Sequence, residues 1–395
     1  MFTFISSIIL LVLGYVVYGR IVARVFGADS NRVTPAIANP DGVDYVSMPW
    51  WKIFLIQFLN IAGLGPIFGA IMGIMFGPSA FLWIVFGSIF GGAVHDYLSG
   101  MLSMRRNGAS LPELVGEQLG VGVKQFMRIF SLLLMVLVGA VFVSGPAGLL
   151  AGMVKSISVT WWIVIIFGYY MLATLLPIDK LIGKIYPLFG FALLFMAVGI
   201  LLSLFINNAP IPEITSGLAS QHPQGYSIFP MMFVSIACGA VSGFHATQSP
   251  MMARCMTNEK YGRPCFYGAM IAEGIVALIW AAAASSFFGS VGGLQEYVAS
   301  LPATANKAAE VVNLISNTWL GKFGGILAVL GVVAAPITSG DTALRSARLI
   351  AADFLHIDQK PILKRLMVAV PLFVGTFILL QINFDVMSDT EHCCR

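Results

Sequence analysis

Five ionisable side chains stand inside otherwise apolar stretches of this 395-residue sequence. Glu273 lies midway along residues 263–289, between Ala272 and Gly274. His95 and Asp96 lie in 79–103, His245 follows Gly243 and Phe244, and Asp341 stands four residues before Arg345. A charged group in hydrocarbon is costly and is retained where it serves an ion, a proton or a substrate. Burial moves carboxyl proton affinity towards neutral pH, and histidine titrates there already. Glu273, Asp96, His95 and Asp341 are therefore proton-relay candidates, with His245 beside the substrate. Structural pairing competes with that reading. Asp341 and Arg345 have the i,i+4 spacing of a helical ion pair, and a lone histidine is more often a hydrogen-bonded packing residue. No His-Glu-x-x-His, paired-His or Cys-x-x-Cys spacing accompanies them, and no nucleophile–base pair stands out. An intramembrane enzyme built on His95, Asp96 and His245 is thus the weaker class; no catalytic residue, cofactor or transition metal is expected.

A second set of groups is neutral. In Ala335-Pro336-Ile337-Thr338-Ser339-Gly340-Asp341-Thr342 the Thr338 and Ser339 hydroxyls share a helical face with Ala335. With carbonyls from Leu59 and Ala62 they would form a small all-oxygen sodium cage. The alternative is that both hydroxyls bond back to carbonyls one turn earlier. Leu59 and Ala62 flank a Gly-rich interruption, Asn60-Ile61-Ala62-Gly63-Leu64-Gly65-Pro66, inside the stretch 52–76. A similar interruption, Cys238-Gly239-Ala240-Val241-Ser242-Gly243-Phe244-His245, lies inside 229–252. Unwinding a helix at mid-membrane depth frees backbone groups at several kcal/mol each. Such a break persists only where a ligand, an ion or a neighbour takes those groups up. Freed carbonyls suit sodium, helix N-termini suit a carboxylate, and glycine lets a substrate reach the backbone. Asn60, Gly63, Gly65, Gly239, Ser242, Gly243 and His245 are accordingly the substrate-binding candidates. The competing explanation is close helix packing, which Gly also serves in membranes.

Such groups need bilayer-spanning helices to hold them. The composition is 58% apolar and 10% charged, with a net charge of +4. This excludes a soluble enzyme, a disordered chain and a nucleic-acid binder. Apolar segments at about 2–19, 52–76, 79–103, 125–152, 159–178, 187–206, 229–252, 263–289, 322–344 and 363–383 give ten candidate spans. With loop 20–52 in the cytoplasm and the N-terminus outside, 18 of the 22 Lys and Arg fall inside and four outside. The first segment lacks a basic leader region and a small-residue cleavage site, so it is expected to remain as a helix. Residues 304–319, with Ala305, Ala308, Val312 and Ile315 at helical spacing, are predicted to form an extracellular amphipathic helix. The two interrupted segments are the first and sixth after the extra helix and run in opposite directions, which points to an inverted-repeat transporter. The predicted fold is an all-α polytopic membrane protein, one transmembrane domain over 1–395. It has an extra helix at 2–19, a first repeat at 52–206 and a second at 229–383.

Longer strings carry a resemblance. Asn39-Pro40-Asp41-Gly42-Val43-Asp44-Tyr45 and Gln57 through Ala70 are similar to the carbon starvation protein A family. So are Gly92 through Tyr97, Ser242 through Pro250 and Thr338 through Ser346, in family order between about residues 10 and 385. The core also resembles the five-plus-five inverted-repeat fold of amino-acid/sodium symporters, whose second sodium site corresponds to the Thr338–Ser339 face. Pro66 stands where those symporters place an amide ligand for their first sodium. The resemblance implies an inner-membrane secondary transporter of a bacterium or archaeon, with alternating access. It would import peptides during carbon starvation or, as the alternative, pyruvate by proton or sodium symport. Both solutes carry a carboxylate. No basic residue lies in 187–206, where some proton-coupled members of the superfold place a lysine, and this leans towards sodium. Family members continue past Gln381-Ile382-Asn383-Phe384-Asp385, whereas here the polar string Val386 to Arg395 follows. The expectation is a second repeat short of its last helix, completed by a partner chain or oligomer, or a membrane subunit that does not transport. The partners expected are a small-molecule substrate and lipid, without nucleic acid.

Overall fold

The computed structural model describes all residues except 155, 177, 179–181, 209, 241–243, 303–305 and 394–395. Within its helices the side chains of 152, 153, 175, 238–240, 322–330 and 382–393 are also outside the description. The described residues form helices and connecting loops, with no strand.

Helix α1 (Phe2–Phe26) ends where Gly27 takes a left-handed conformation, φ 70°, with Arg24 in its last turn. Its first turn is capped from afar, because Glu213 accepts from the N–H groups of Phe2 and Thr3 at 2.9 and 2.7 Å. Helix α2 (Trp50–Ile61) starts after Pro49, loses its helical path over 62–64 and resumes, bent by 51°, as α3 (Gly65–Ile74). Helix α4 (Ser79–Arg105) carries His95 and Asp96. A short α5 (Leu111–Leu119) leads into α6 (Val121–Met153), then α7 (Val159–Leu175) and α8 (Ile182–Ile206). The second interrupted segment appears as α9 (Phe233–Ala240) and α10 (His245–Ala253). Helix α11 (Glu259–Phe287) bears Glu273, and α12 (Val291–Ser300) follows it. Helix α13 (Lys307–Leu355) is two helices joined at Gly321, whose φ of 65° and ψ of −170° no helix interior tolerates. Helix α14 is Ile362–Cys393.

Among the described residues six helices are long and apolar enough to cross a bilayer, α1, α4, α6, α8, α11 and α14, and the bent pair α2–α3 makes a seventh. The ten-span expectation is thus met in part by helices that do not qualify singly, for identifiable reasons. Helix α7 has 17 residues, about 25 Å at the α-helical rise, against a hydrocarbon core of roughly 30 Å. The segment 229–252 is divided between α9 and α10, and 322–344 begins with side chains outside the description. The expected end near Leu344 is also exceeded, since α13 runs on to Leu355 and keeps Asp341, Arg345 and Arg348 inside the helix. The amphipathic stretch is observed as 307–320: Ala308, Ala309, Val311, Val312 and Ile315 are buried while Glu310, Asn317 and Thr318 are exposed. Ala305 lies outside the described residues.

The two interrupted segments cross antiparallel. Gln57 of α2 donates to Ser249 of α10 at 2.9 Å. At the other end α3 lies against α9 so closely that a Cβ on Gly69 would stand 2.7 Å from the Ser235 carbonyl oxygen. One on Gly73 would stand 2.2 Å from Ile236. Two apolar bodies result. The larger gathers α1 to α4, α8 to α12 and part of α13 (Val311, Val312, Ile315, Val332 and Ala335), with side chains such as Phe58, Ile71, Tyr97, Ile236, Met252 and Trp280. The smaller gathers α6, α7, α13 and α14 through Val143, Ile166, Tyr170, Leu344, Ala369 and Phe373. A minor cluster of Met135, Phe244, Ala343 and Ala347 sits on the seam between them.

Gly69→Val should separate α3 from α9. Overpacking of this kind costs about 1–3 kcal/mol, so the detergent-solubilised variant is expected to melt several degrees below the parent in a thermal-shift assay.

Candidate functional site

Ile61 is the last helical residue of α2, which leaves the carbonyls of that last turn without their usual partners. The Asn60 carbonyl accepts from the Ser339 hydroxyl of α13 at 2.8 Å. A Cβ on Gly63 would meet that same oxygen at 3.0 Å, so the turn and α13 are in direct contact. Thr338 and Ser339 also reach back to the Ala335 carbonyl, each at 2.8 Å. The back-bonding alternative is therefore observed, and Ser339 in addition bridges to the break. The Ser339 hydroxyl's partner across the gap is the Asn60 carbonyl, however, and not that of Leu59 or Ala62. The cage residues nonetheless lie together.

Beside this junction are buried amides with nothing to bind. Asn60 and Gln248 are both 0% exposed, and neither side chain has a hydrogen bond to the described residues. The Gln57 side-chain carbonyl is free as well. Gln57 and Asn60 are three residues apart on α2, and Gln248 is one turn after His245 on α10, so each pair shares a helix face. Gly239 is helical and α9 persists to Ala240, which shortens the second interruption relative to the string 238–245. Ser242 and Gly243 lie outside the described residues. Gly65 opens α3 with Pro66 at its second position.

The relay candidates divide into two places. Asp96, His245 and Glu273 come together from α4, α10 and α11: His245 Nδ1 lies 3.3 Å from Asp96 and Nε2 lies 3.7 Å from Glu273. His95 joins through its neighbour Asp96 at 3.0 Å. Asp341 is elsewhere, on α13, where it accepts from Tyr186 of α8 at 2.6 Å, and Tyr186 in turn touches the Tyr169 hydroxyl at 3.1 Å. The anticipated Asp341–Arg345 pair is absent from the ion pairs of the described residues. Arg345 turns instead to Asp44 at 3.3 Å and to the carbonyls of Ala173 and Leu176. Arg348, one turn on, holds the same carboxylate at 3.0 Å. Both guanidiniums are 0% exposed. Burial would raise the Asp44 carboxyl, but the facing Arg348 and Arg345 outweigh it and hold Asp44 below the ordinary aspartate range. Sequence reasoning missed Asp44 and Tyr186, whose partners lie far along the chain. It also missed Gln57 and Gln248, for which helical spacing from Asn60 and His245 was the available signal.

Among the described residues, helices long and apolar enough to cross a membrane surround a bent pair, α2–α3, that crosses an interrupted partner, α9–α10, beside buried amides. A solved Na+-coupled sialic acid symporter in a substrate-bound, outward-open state has the same fold, with a TM-score of 0.60 at 14% identity over 99% of this chain and 81% of that one. The chain belongs to the carbon starvation protein CstA family, whose model matches residues 1–154 and 146–321. It is 44% identical to an uncharacterized membrane protein of Haemophilus influenzae, covering 76% of this chain and 95% of the relative. It is 28% identical to the pyruvate/proton symporter BtsT of Escherichia coli (71% and 48% covered). Identity to a peptide transporter CstA of Helicobacter pylori is 30% (68% and 48%). The chain thus spans about half the length of these named transporters.

Asp44→Asn should leave two buried guanidiniums without their counter-charge, a loss of about 3–5 kcal/mol by analogy with broken buried pairs. A marked drop in melting temperature would register it. Because the folded pKa is depressed, the parent's share of stability from this carboxylate is complete above about pH 3.9 and fades as pH falls through the lower folded value. The Asn variant is expected to lack that acid-side decline.

Proposed function

We propose that this protein is a secondary transporter that imports a small carboxylate-bearing solute by alternating access. Peptides are the first substrate class, and pyruvate is the alternative. The observation that carries the reading is the pair of fully buried amides, Asn60 and Gln248, beside the broken α2–α3 helix. Burying an amide without a partner costs on the order of 1–3 kcal/mol, a penalty that a solute's carboxylate and amide groups would remove on binding. The free end of α2 and the start of α10 supply backbone dipoles for the same groups. Relatives named as peptide transporters and as a pyruvate/proton symporter fit both solute classes.

In this reading the two apolar bodies rock against each other about the break, and a cation bound in one state biases the equilibrium. Two places suit a cation. The oxygens of Ala335, Thr338, Ser339 and Asn60 suit sodium, and the carboxylates beside His245 suit a proton. The inner membrane of the cell is the expected location, with loop 27–49 and its Asp44 clamp on the cytoplasmic side. Induction during carbon starvation is carried over from the family's name.

Counterflow of labelled dipeptide and of labelled pyruvate into proteoliposomes tests the proposal. Uptake of one of them, lost about ten-fold or more in Gln248→Leu and Asn60→Ala while both variants remain monodisperse, is the expected result; that loss corresponds to about 1.4 kcal/mol or more of binding. Unimpaired uptake in both variants would move the substrate away from the break.

A further inference from the structure

Among the buried ionisable groups, one cluster has no structural job that its geometry completes. Glu273 is 0% exposed, and neither of its carboxyl oxygens has a hydrogen bond among the described residues. Its nearest ionisable partner is His245 Nε2 at 3.7 Å, beyond hydrogen-bond reach. The other face of the same ring lies 3.3 Å from Asp96, also 0% exposed. Asp96 in turn accepts from His95, whose side chain is 36% exposed. The four groups form a file from a sealed carboxyl to a partly accessible imidazole, drawn from three helices of the larger body: α4, α10 and α11.

No fixed positive charge among the described residues balances this file. Other ionisable side chains on these helices and the elements packed around them include Arg105 on α4, Glu259, Lys260, Tyr261, Arg263, Cys265 and Tyr267 on α11, Arg20 and Arg24 on α1, Glu113 and Glu117 on α5, Lys52 on α2, and Lys184 and Tyr186 on α8. Beyond those come Tyr97 on α4, Tyr15 and Tyr18 on α1, Glu296 and Tyr297 on α12, and Asp341, Arg345 and Arg348 on α13. Among the described residues none of these makes an ion pair or hydrogen bond with Asp96, His245 or Glu273. Two carboxylates and a neutral imidazole would then place two negative charges in a low-dielectric core, a cost no protein bears without compensation. A proton removes one of them. A metal ion would do so as well, but among the described residues no group of three His, Cys, Asp or Glu has the spacing to hold one.

We infer that Asp96, His245 and Glu273 form the site of the coupling cation, and that this cation is a proton. The inference deepens the transport reading and rests on it. The proton sits on the Glu273 carboxyl in the closed conformation. In the transfer step the Glu273 O–H bond breaks and an N–H bond forms at His245 Nε2, giving an imidazolium beside the Asp96 carboxylate. Release returns the imidazolium proton to water on the His95 side and leaves the cluster doubly negative, which is tolerable only when that side is hydrated. His245 is the first residue of α10, and Gln248 follows it by one turn. Proton occupancy therefore sets the position of the helix that carries a substrate amide, which is the differential contact that coupling requires.

The test uses the full chain in proteoliposomes with pH and sodium gradients imposed separately, for the parent and for Glu273→Gln, Asp96→Asn and His245→Gln. The parent should accumulate dipeptide or pyruvate with an inward proton gradient. Glu273→Gln should lose about ten-fold or more of that accumulation, and its slower counterflow exchange should no longer vary with pH, as expected when the coupling free energy is removed. Accumulation that follows sodium and ignores pH, or a Glu273→Gln variant that still accumulates against a pH gradient, would overturn the inference. Infrared difference spectra of the parent keep this failure separate from failure of the transport reading. A protonated-carboxyl stretch that titrates, shifts in heavy water and vanishes in Glu273→Gln supports the proton site even if neither solute moves. Its absence refutes the site even if one does.

Discussion

A peptide group freed from a helix inside hydrocarbon has nowhere to turn except to the protein itself, and the arrangement of this molecule follows from that constraint at one place. The last turn of α2 leaves carbonyls unclaimed, and Ser339 comes from another helix to claim the Asn60 oxygen at 2.8 Å. That bond ties the break to α13, a helix with residues in both bodies. Gly63 packs closely there: a methyl in its place would stand 3.0 Å from the Ser339 hydroxyl oxygen, tighter than most such contacts. The break is thus not a weak point in a helix. It is a junction whose polar groups are shared between two bodies, and any relative motion of those bodies has to exchange this bond for another.

The sequence made the junction half legible. Gly-rich strings marked both interruptions, and the hydroxyl pair marked the face that meets the first of them. The exact partner was not readable, since Leu59, Asn60 and Ala62 differ only in which carbonyl the helix stops using, and helix ends are set by tertiary contact as much as by local residues. The intramembrane charges were legible as unusual, but their grouping was not. Asp341 looked equivalent to Asp96 by hydropathy and is separated from it only because Tyr186, 155 residues earlier, supplies a hydroxyl at 2.6 Å. Asp44 stood in a family-like string but nothing in it pointed to a charge pair: it sits in a polar loop, and its arginines are 301 and 304 residues away. The extent of the membrane helices was read well where a span is one unbroken apolar run, as in α8 or α11. It was read less well where the run is divided, as between α9 and α10, because hydropathy counts residues and not helical continuity.

Buried charges in this structure fall into two kinds, and the difference bears on what can move. At Arg345 and Arg348 every charge has an opposite neighbour, and Arg345 has carbonyl acceptors besides. Such a set is stable as long as it is complete. Glu273 has the reverse character: deeply enclosed, unsupported by hydrogen bonds, and next to a histidine that already faces a carboxylate. A group so placed is stable in one protonation state per conformation, which makes it a poor strut and a good sensor.

The same contrast separates the two bodies from their seam. Each body has an apolar interior of its own, in which separation would expose hydrocarbon surface at about 25 cal/mol per Å². Across the seam the named contacts are largely polar: Ser339 to Asn60, Arg345 and Arg348 to Asp44, and Tyr186 to Asp341. Water can replace a hydrogen bond or an ion pair at modest net cost, about 0.5–1.5 kcal/mol for a typical bond, but it cannot replace an apolar contact. The small cluster of Met135, Phe244, Ala343 and Ala347 is the apolar exception on that seam, and it lies beside the second interruption, where a displacement of α10 would carry Phe244 away from α6 and α13. The second interruption, this apolar cluster and the His245 pairing with Asp96 thus meet on one short element, α10.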